Sequence, residues 1–341
     1  MSSLQERRAA RRKTWSRMGD LGRVPTEYEI VTHEMVHTAK EIPLEMGAET
    51  FPNQWMKRYR DETGLKVTDW EAFRDPDAMT YRLYNQQQDR AESFVDQAIE
   101  QYTERTNGDA GLDNRCVQLL ARVLAPSRYM VHGLQMASAY VQQMASTAYV
   151  ANAAAFQAAD QLRRVERTAY RTRQLSLARP DAGFGTGERA IWEQDALWQP
   201  VRRAVEELLV LFAWHDAFVA TNLLVKPALD LLSLQEFRAV AEENGDTLDA
   251  LISANLFEDA ERSMRWSVAL SCFLIEQDEA NRQLLTSTAR THRPKVRAAV
   301  ESFATLLGEY SERDAETIRS SVEAGLAKLL ADAGLAGAID D

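Results

Sequence analysis

The chain has 341 residues, 45% hydrophobic and 27% charged, with 15 Gly and 9 Pro, which excludes a disordered or fibrous protein and suits helical cores in one large domain or two smaller ones. A formal charge of -11 argues against nucleic acid as a general partner, although Arg7, Arg8, Arg11, Arg12, Lys13 and Arg17 make the amino-terminal end a basic arm. Cys116 and Cys272 stand far apart, without Cys-x-x-Cys or Cys/His spacing; a disulfide framework or zinc site is excluded, and both read as buried small hydrophobes in a reducing cytoplasm.

Thr14, Ser16, Gly19 and Asp20 follow the basic residues where a secretory signal needs an apolar run. Apolar stretches such as Leu208 to Trp214 fall short of the roughly eighteen residues that span a bilayer, so the expectation is a soluble, cytoplasmic chain without a membrane segment. Residues 1–73 are broken by Pro25, Pro43 and Pro52 and carry Trp15, Tyr28, Phe51, Trp55, Tyr59, Trp70 and Phe73. This is too aromatic for a solvated tail, so the arm must lie on the chain's own body or on a partner; Trp15, Tyr28, Trp55, Tyr59 and Trp70 are the candidate partner contacts.

Asp75-Pro76 supplies a cap and first-turn proline for a helix running to about Arg105, stopped by Asn107-Gly108. A second helix reaches Leu124 and Pro126 restarts the pattern, with Tyr129, Gly133, Met136, Tyr140 and Met144 marking one buried face. A long helix fits 149–178, and Pro180 to Gly187 form a loop. Helix signals resume at Glu188, with Lys226-Pro227 as a kink or break, and Asn244-Gly245 closes that segment. Helices over about 246–276, 278–308 and 313–332 complete an expected organisation of arm (1–73), bundle (74–310) and C-terminal helix with tail (311–341). No strand pattern competes, and helices of about thirty residues, some 45 Å long, belong to a large antiparallel all-α bundle.

Two of these helices echo one another: Asp160-Gln161-Leu162-Arg163-Arg164 and Asp259-Ala260-Glu261-Arg262-Ser263 share the frame Asp-x-x-Arg. In di-iron carboxylate bundles two helices each provide Glu-x-x-His, because three-residue spacing aims carboxylate and imidazole at the metals, and two more helices each give one Glu. The Asp-x-x-Arg frames, Asp160 with Arg163 and Asp259 with Arg262, suit ion pairs on a helix surface or between helices.

The segments Pro25-Thr26-Glu27-Tyr28-Glu29-Ile30-Val31, Gln135 to Met144, Thr168-Ala169-Tyr170-Arg171-Thr172, Pro180-Asp181-Ala182-Gly183, Val225-Lys226-Pro227 and Asp259-Ala260-Glu261-Arg262 resemble the beta subunits of bacterial multicomponent di-iron monooxygenases that oxidise toluene and small alkenes. The resemblance spans nearly the whole chain and implies a ferritin-like (ribonucleotide-reductase-like) bundle with an extended N-terminal arm and no metal site. It implies too that a catalytic alpha subunit of similar fold carries Asp-Glu-x-Arg-His in both frames. Laid onto this chain, the ligand positions fall on Gln161 and Arg164, on Ala260 and Ser263, and on Ala139 and His215 for the single carboxylates, His215 being the least secure alignment. Gln, Ala and Ser cannot offset the charge of two irons, and a guanidinium, always protonated, puts a positive charge where a cation would sit. Arg164 then takes over the metal's electrostatic role by pairing with Asp160 or another bundle carboxylate.

Other candidates carry less. His33 and His37 are four apart, but Pro25 and Pro43 bracket them and no third ligand follows. His132 reads as a satisfied core histidine. His215-Asp216 lacks a nucleophile elbow, and Gly183 to Gly187 lacks the preceding strand and the Lys-Ser/Thr of a phosphate loop. The polar stripe Gln157, Gln161, Arg164 and Thr168 fits either a satisfied buried network or a partner-facing seam.

Three functional classes follow. The resemblance implies a non-catalytic scaffold for the alpha subunit within paired alpha, beta and small gamma subunits. The wider system would hold a small effector protein, a Rieske-type iron–sulfur ferredoxin and an FAD-containing, NADH-dependent reductase; the di-iron centre belongs to alpha, with no cofactor in this chain. Against it stand a metalloenzyme with an unusual di-iron ligand set drawn from other residues, and an independent helical binding protein, which the arm aromatics oppose.

Overall fold

A computed structural model describes residues 21–33, 49–105 and 108–338, and every regular element among them is helical. Trp15, His37, Pro43 and the basic arm lie outside the described residues. We number the helices α1 (Glu27–Thr32), α2 (Phe51–Met56), α3 (Tyr81–Arg105), α4 (Asn114–Leu119), α5 (Ser127–Gln143), α6 (Ala148–Ala178), α7 (Glu188–Gln194), α8 (Gln199–Leu208), α9 (Trp214–Glu243), α10 (Thr247–Gln277), α11 (Glu279–Gly308) and α12 (Ala315–Asp332). Helices α5 and α6 form an antiparallel hairpin; α6 packs on α10, and α11 lies against α8, α9 and α12. The shared core is built on Trp198, Trp214, Trp266, Tyr149, Phe218 and Phe303, all essentially without solvent contact.

The long helices start where short polar side chains satisfy the free amides of the first turn. Thr147 accepts from the Tyr149 amide, Asp246 from Asp249, Asp278 from Ala280 and Asp314 from Thr317. Gly133 permits the closest helix approach, since a Cβ there would meet Val205 Cγ1 of α8 at 2.3 Å.

Several expectations are corrected. Helix α3 begins at Tyr81, not at Asp75-Pro76: the Asp75 carboxylate accepts from the Asp77 and Met79 amides, locking a tight turn that carries Ala78 at φ 45°. The buried face of α5 runs through Met130, Leu134, Ala137 and Val141; Met136 is exposed and Tyr129 and Tyr140 are half-buried. His132 is therefore an exposed residue on the opposite side, not a core histidine. Lys226-Pro227 does not break α9. The helix widens to π turns at Val219–Val225 and Leu231–Glu236 on either side, a local unwinding that accommodates the proline ring and its missing donor. Helix α9 is also long and apolar enough to cross a membrane, but its apolar window is wholly buried inside the bundle, the signature of a core helix. Cys116 is buried as expected, whereas Cys272 is half-exposed.

The described part of the arm folds back on its own body. Tyr28 is buried, its ring 5.5 Å from Tyr149 and its oxygen accepting from the Asp75 amide at 3.3 Å. Glu29 accepts from Arg23 at 2.8 Å and Arg74 at 3.1 Å while closing a capping box with Thr26, and the hydrogen bonds from Arg23 hold its carboxyl well below the usual range. Trp55 meets Tyr59 at a tilt and Phe212 edge-on and donates to the Tyr140 oxygen at 3.3 Å; Trp70 meets Trp214 edge-on at 5.6 Å.

Candidate functional site

The two Asp-x-x-Arg frames face one another across α6 and α10, and the third wall is α9. Where the two helices would aim ligands at metals, Arg164 donates to Asp230 Oδ1 at 3.0 Å and to Ser233 Oγ at 2.7 Å. Lys226 donates to the other oxygen of Asp230 at 2.7 Å and to Ser263 Oγ at 2.5 Å. The Ser233 and Ser263 hydroxyls donate in turn to the carbonyls of Leu229 and Ala260. All five side chains are buried, Asp230 at 0% exposure. Burial pulls the Arg164 guanidinium below its ordinary value and Asp230 draws it back up; starting so high, it stays charged. Two cations thus share one carboxylate in the core.

Next to this cluster, Gln157 donates to Ser138 Oγ at 2.8 Å and accepts from Asn222 at 2.9 Å and Trp266 Nε1 at 3.1 Å. The polar stripe is therefore buried: Gln157, Gln161, Arg164 and Thr168 all lie in the interior, Gln157 and Arg164 within hydrogen-bond networks, while Gln161 Oε1 is buried without a partner among the described residues.

The frame residues pair across the helices. Arg262 of α10 donates to Asp160 of α6 at 2.5 Å, and Arg163 of α6 donates to Asp259 of α10 at 2.7 Å. Only the Asp259–Arg262 contact, at 3.2 Å, also follows the i,i+3 spacing. Helix α3 completes the group: Tyr84 donates to Asp160 at 3.0 Å, Gln88 bridges Asp160 and Asp259, and Arg163 reaches Glu92 at 2.6 Å. Burial, and then the charge of Asp259, push the Asp160 carboxyl up to about 7, and its Oδ2 atom is buried without a partner among the described residues. Further along, Arg171 joins Asp249 at 2.7 Å and Asp109 at 2.9 Å.

The structure thus brings Gln161, Arg164, Ala260 and Ser263 to the facing helices and leaves two predicted positions apart. Ala139 is only half-buried, and it is its neighbour Ser138 that enters the network. His215 sits fifteen residues before Asp230 on α9, roughly 22 Å along the axis; burial lowers its pKa. Asp230, Asn222 and Ser233 went unread in the sequence and Lys226 was read only as part of a Lys-Pro kink, although Lys226 and Asp230 at i,i+4 spacing inside an otherwise apolar run signal a buried ion pair. His33 approaches Glu71 at 3.3 Å, and among the described residues no three His, Cys, Asp or Glu side chains converge as metal ligands. The donor set itself does not fit a di-iron centre: ammonium and guanidinium cannot coordinate a metal, and they already neutralise the nearest carboxylate.

Long antiparallel helices with paired frames on facing members define a bundle of the ferritin-like, di-iron-carboxylate class. Residues 45–278 match the family described as Methane/Phenol/Alkene Hydroxylase, and the chain belongs to it. The beta subunit of the hydroxylase component of a toluene-4-monooxygenase system from Ectopseudomonas mendocina is 37% identical over 318 residues, covering 91% of this chain and 96% of that protein. An oxygenase component of phenol 2-monooxygenase from Pseudomonas sp. (strain CF600) is 26% identical over 70% of this chain and 71% of its own length. A chain in a structure of toluene 4-monooxygenase with toluene in its resting active site superposes with a TM-score of 0.81 at 38% identity, over 86% of this chain and 97% of the other.

Proposed function

We propose that this chain is the non-catalytic beta subunit of a bacterial multicomponent hydrocarbon monooxygenase. In this reading it supports a di-iron alpha subunit that inserts one atom of O2 into an aromatic or alkene substrate. The observation that carries the reading is the Arg164–Asp230–Lys226 cluster, which fills with fixed positive charge the place where a metal-binding relative needs anionic ligands. Likeness to a beta subunit over 96% of that protein's length supports it.

The assembly we propose pairs alpha, beta and a small gamma subunit in the cytoplasm, with an effector protein and a Rieske-type ferredoxin approaching it and an FAD-containing reductase drawing electrons from NADH. No nucleic acid or membrane enters. The arm to residue 73 is the proposed docking element, the bundle runs from 74 to 310, and the remainder is a C-terminal helix with its tail. Tyr28 is covered by its own chain, so the exposed Phe51 beside half-buried Trp55 and Tyr59 offers the better described contact of the arm.

The test is iron per beta chain after iron-replete expression, on the chain alone or on a complex separated without stripping metal. Near-zero iron is expected. About two irons per chain would overturn the reading and reopen the search for ligands.

A further inference from the structure

Helices α9, α11 and α12 enclose a half-open groove of about 370 Å³, remote from the buried charge clusters. Its floor and walls are Leu224, Val296, Val300, Val322 and Leu326, each buried by its own neighbours. The groove persists because α12 presents Ala324 and Ala327 to it, both exposed, where larger side chains would fill the space. Arg293 and Arg297 stand one helical turn apart on the α11 rim. Arg297 is exposed and forms no ion pair with a described residue, while Glu323 on the opposite rim is held by Arg319 at 2.6 Å. An apolar trough with a net positive edge is the result.

Dimensions select the occupant. The lining extends from Arg293 to Val300 on α11, roughly 10 Å, and from Val322 to Ala327 on α12, roughly 8 Å. That is too short for a bound helix of several turns, while the volume lies in the range of small-ligand pockets, about 300–1,000 Å³. We propose that this groove is a binding site for a small amphiphilic carboxylate, its ring or short alkyl chain against Val296, Val300 and Leu326 and its carboxylate on the Arg297 guanidinium. The pairing follows from charge complementarity: a bidentate guanidinium–carboxylate contact at the rim leaves the apolar body to displace water from the trough.

The proposal goes beyond the scaffold reading and is tested independently of it. The fluorescent probe anilinonaphthalene sulfonate is titrated against the full-length chain and against the complex in which it purifies, with octanoate and octanol as competitors. One saturable probe site on this chain is expected, displaced by octanoate and at least about tenfold less well by octanol. Arg297→Glu should weaken octanoate at least about tenfold, a difference of about 1.4 kcal/mol. Ala327→Trp and Ala324→Trp, both at exposed positions, should each abolish the site with unchanged thermal unfolding. Absence of a saturable site, or wild-type affinity in a folded tryptophan variant, overturns the proposal. Equal potency of octanol and octanoate removes the anion specificity and overturns it as stated. Binding by the chain alone but not by the complex assigns the groove to a partner subunit instead.

Discussion

The two buried charge clusters share α6, where they are one residue out of step, but the outer one pairs it with α10 and the inner one with α9. The outer one, Asp160, Arg163, Asp259 and Arg262, balances two carboxylates against two guanidiniums and exchanges them between α6 and α10. The inner one gives Arg164 and Lys226 a single carboxylate, Asp230, and relies on two serine hydroxyls for the remaining donors. The outer cluster satisfies charge by symmetry and fixes the register of two helices. The inner cluster sets two cations on one carboxylate, and its excess positive charge is tolerated because hydroxyl dipoles solvate what Asp230 does not.

Removing the shared anion should break the contrast most strongly. Asp230→Ala strands two buried cations, and we expect a loss of about 3–5 kcal/mol, enough to abolish a cooperative unfolding transition or soluble expression. A variant as stable as the wild type would show that the inner cluster is not held by its carboxylate. Lys226→Met in the same cluster is the discriminating partner: with Arg164 still paired to Asp230, chemical denaturation should register a change of less than about 2 kcal/mol, in either direction.

Replacing the inner cations by ligands sharpens the comparison. Gln161→Glu with Arg164→His should still bind no stoichiometric iron, because Lys226 keeps its contacts with Asp230 and Ser263. Stability should fall. Tight iron binding at unchanged stability, read by metal analysis and calorimetry, would count against the arginine as a structural substitute for metal.

The outer cluster should betray itself in pH dependence. Asp160, at an ordinary value of 3.8 when unfolded, is raised to about 7 in the fold. The folded state therefore binds more protons than the unfolded state between these values, and stability falls as pH rises across that window. In Asp160→Asn this component should vanish, so wild type minus variant declines from about pH 4 to about pH 7 and then levels off. A flat difference would mean that Arg262 outweighs burial and Asp259. The smallest effect belongs to the surface: Arg238→Ala, which breaks the exposed i,i+4 pair with Glu242, should cost no more than about 0.5 kcal/mol.

Much was legible in the residues. Helix-length periodicity, the stop at Asn244-Gly245 and the loop at Pro180–Gly187 are local signals, set within a few residues of themselves, and they place α6, α10, α11 and α12 nearly to the residue. The Asp-x-x-Arg frames were visible for the same reason. Asp75-Pro76 misled because a cap-like carboxylate stabilises a turn as readily as a helix start.

What the sequence determined by itself was the inventory: long helices and the polar frames they carry. What only tertiary structure decided was the pairing. Arg164 takes Asp230, sixty-six residues away on α9, instead of Asp160 on its own helix, and Asp160 takes Arg262 from α10. The reason is that a guanidinium's choice among carboxylates depends on rotation and approach of whole helices, which arise from core contacts such as Gly133 against Val205 and Trp198 against Phe303. Spacing along one helix records none of these. The same packing turned the arm's Tyr28 and Trp70 inward and rotated His132 outward, because burial is a property of the neighbours a residue meets and not of its type.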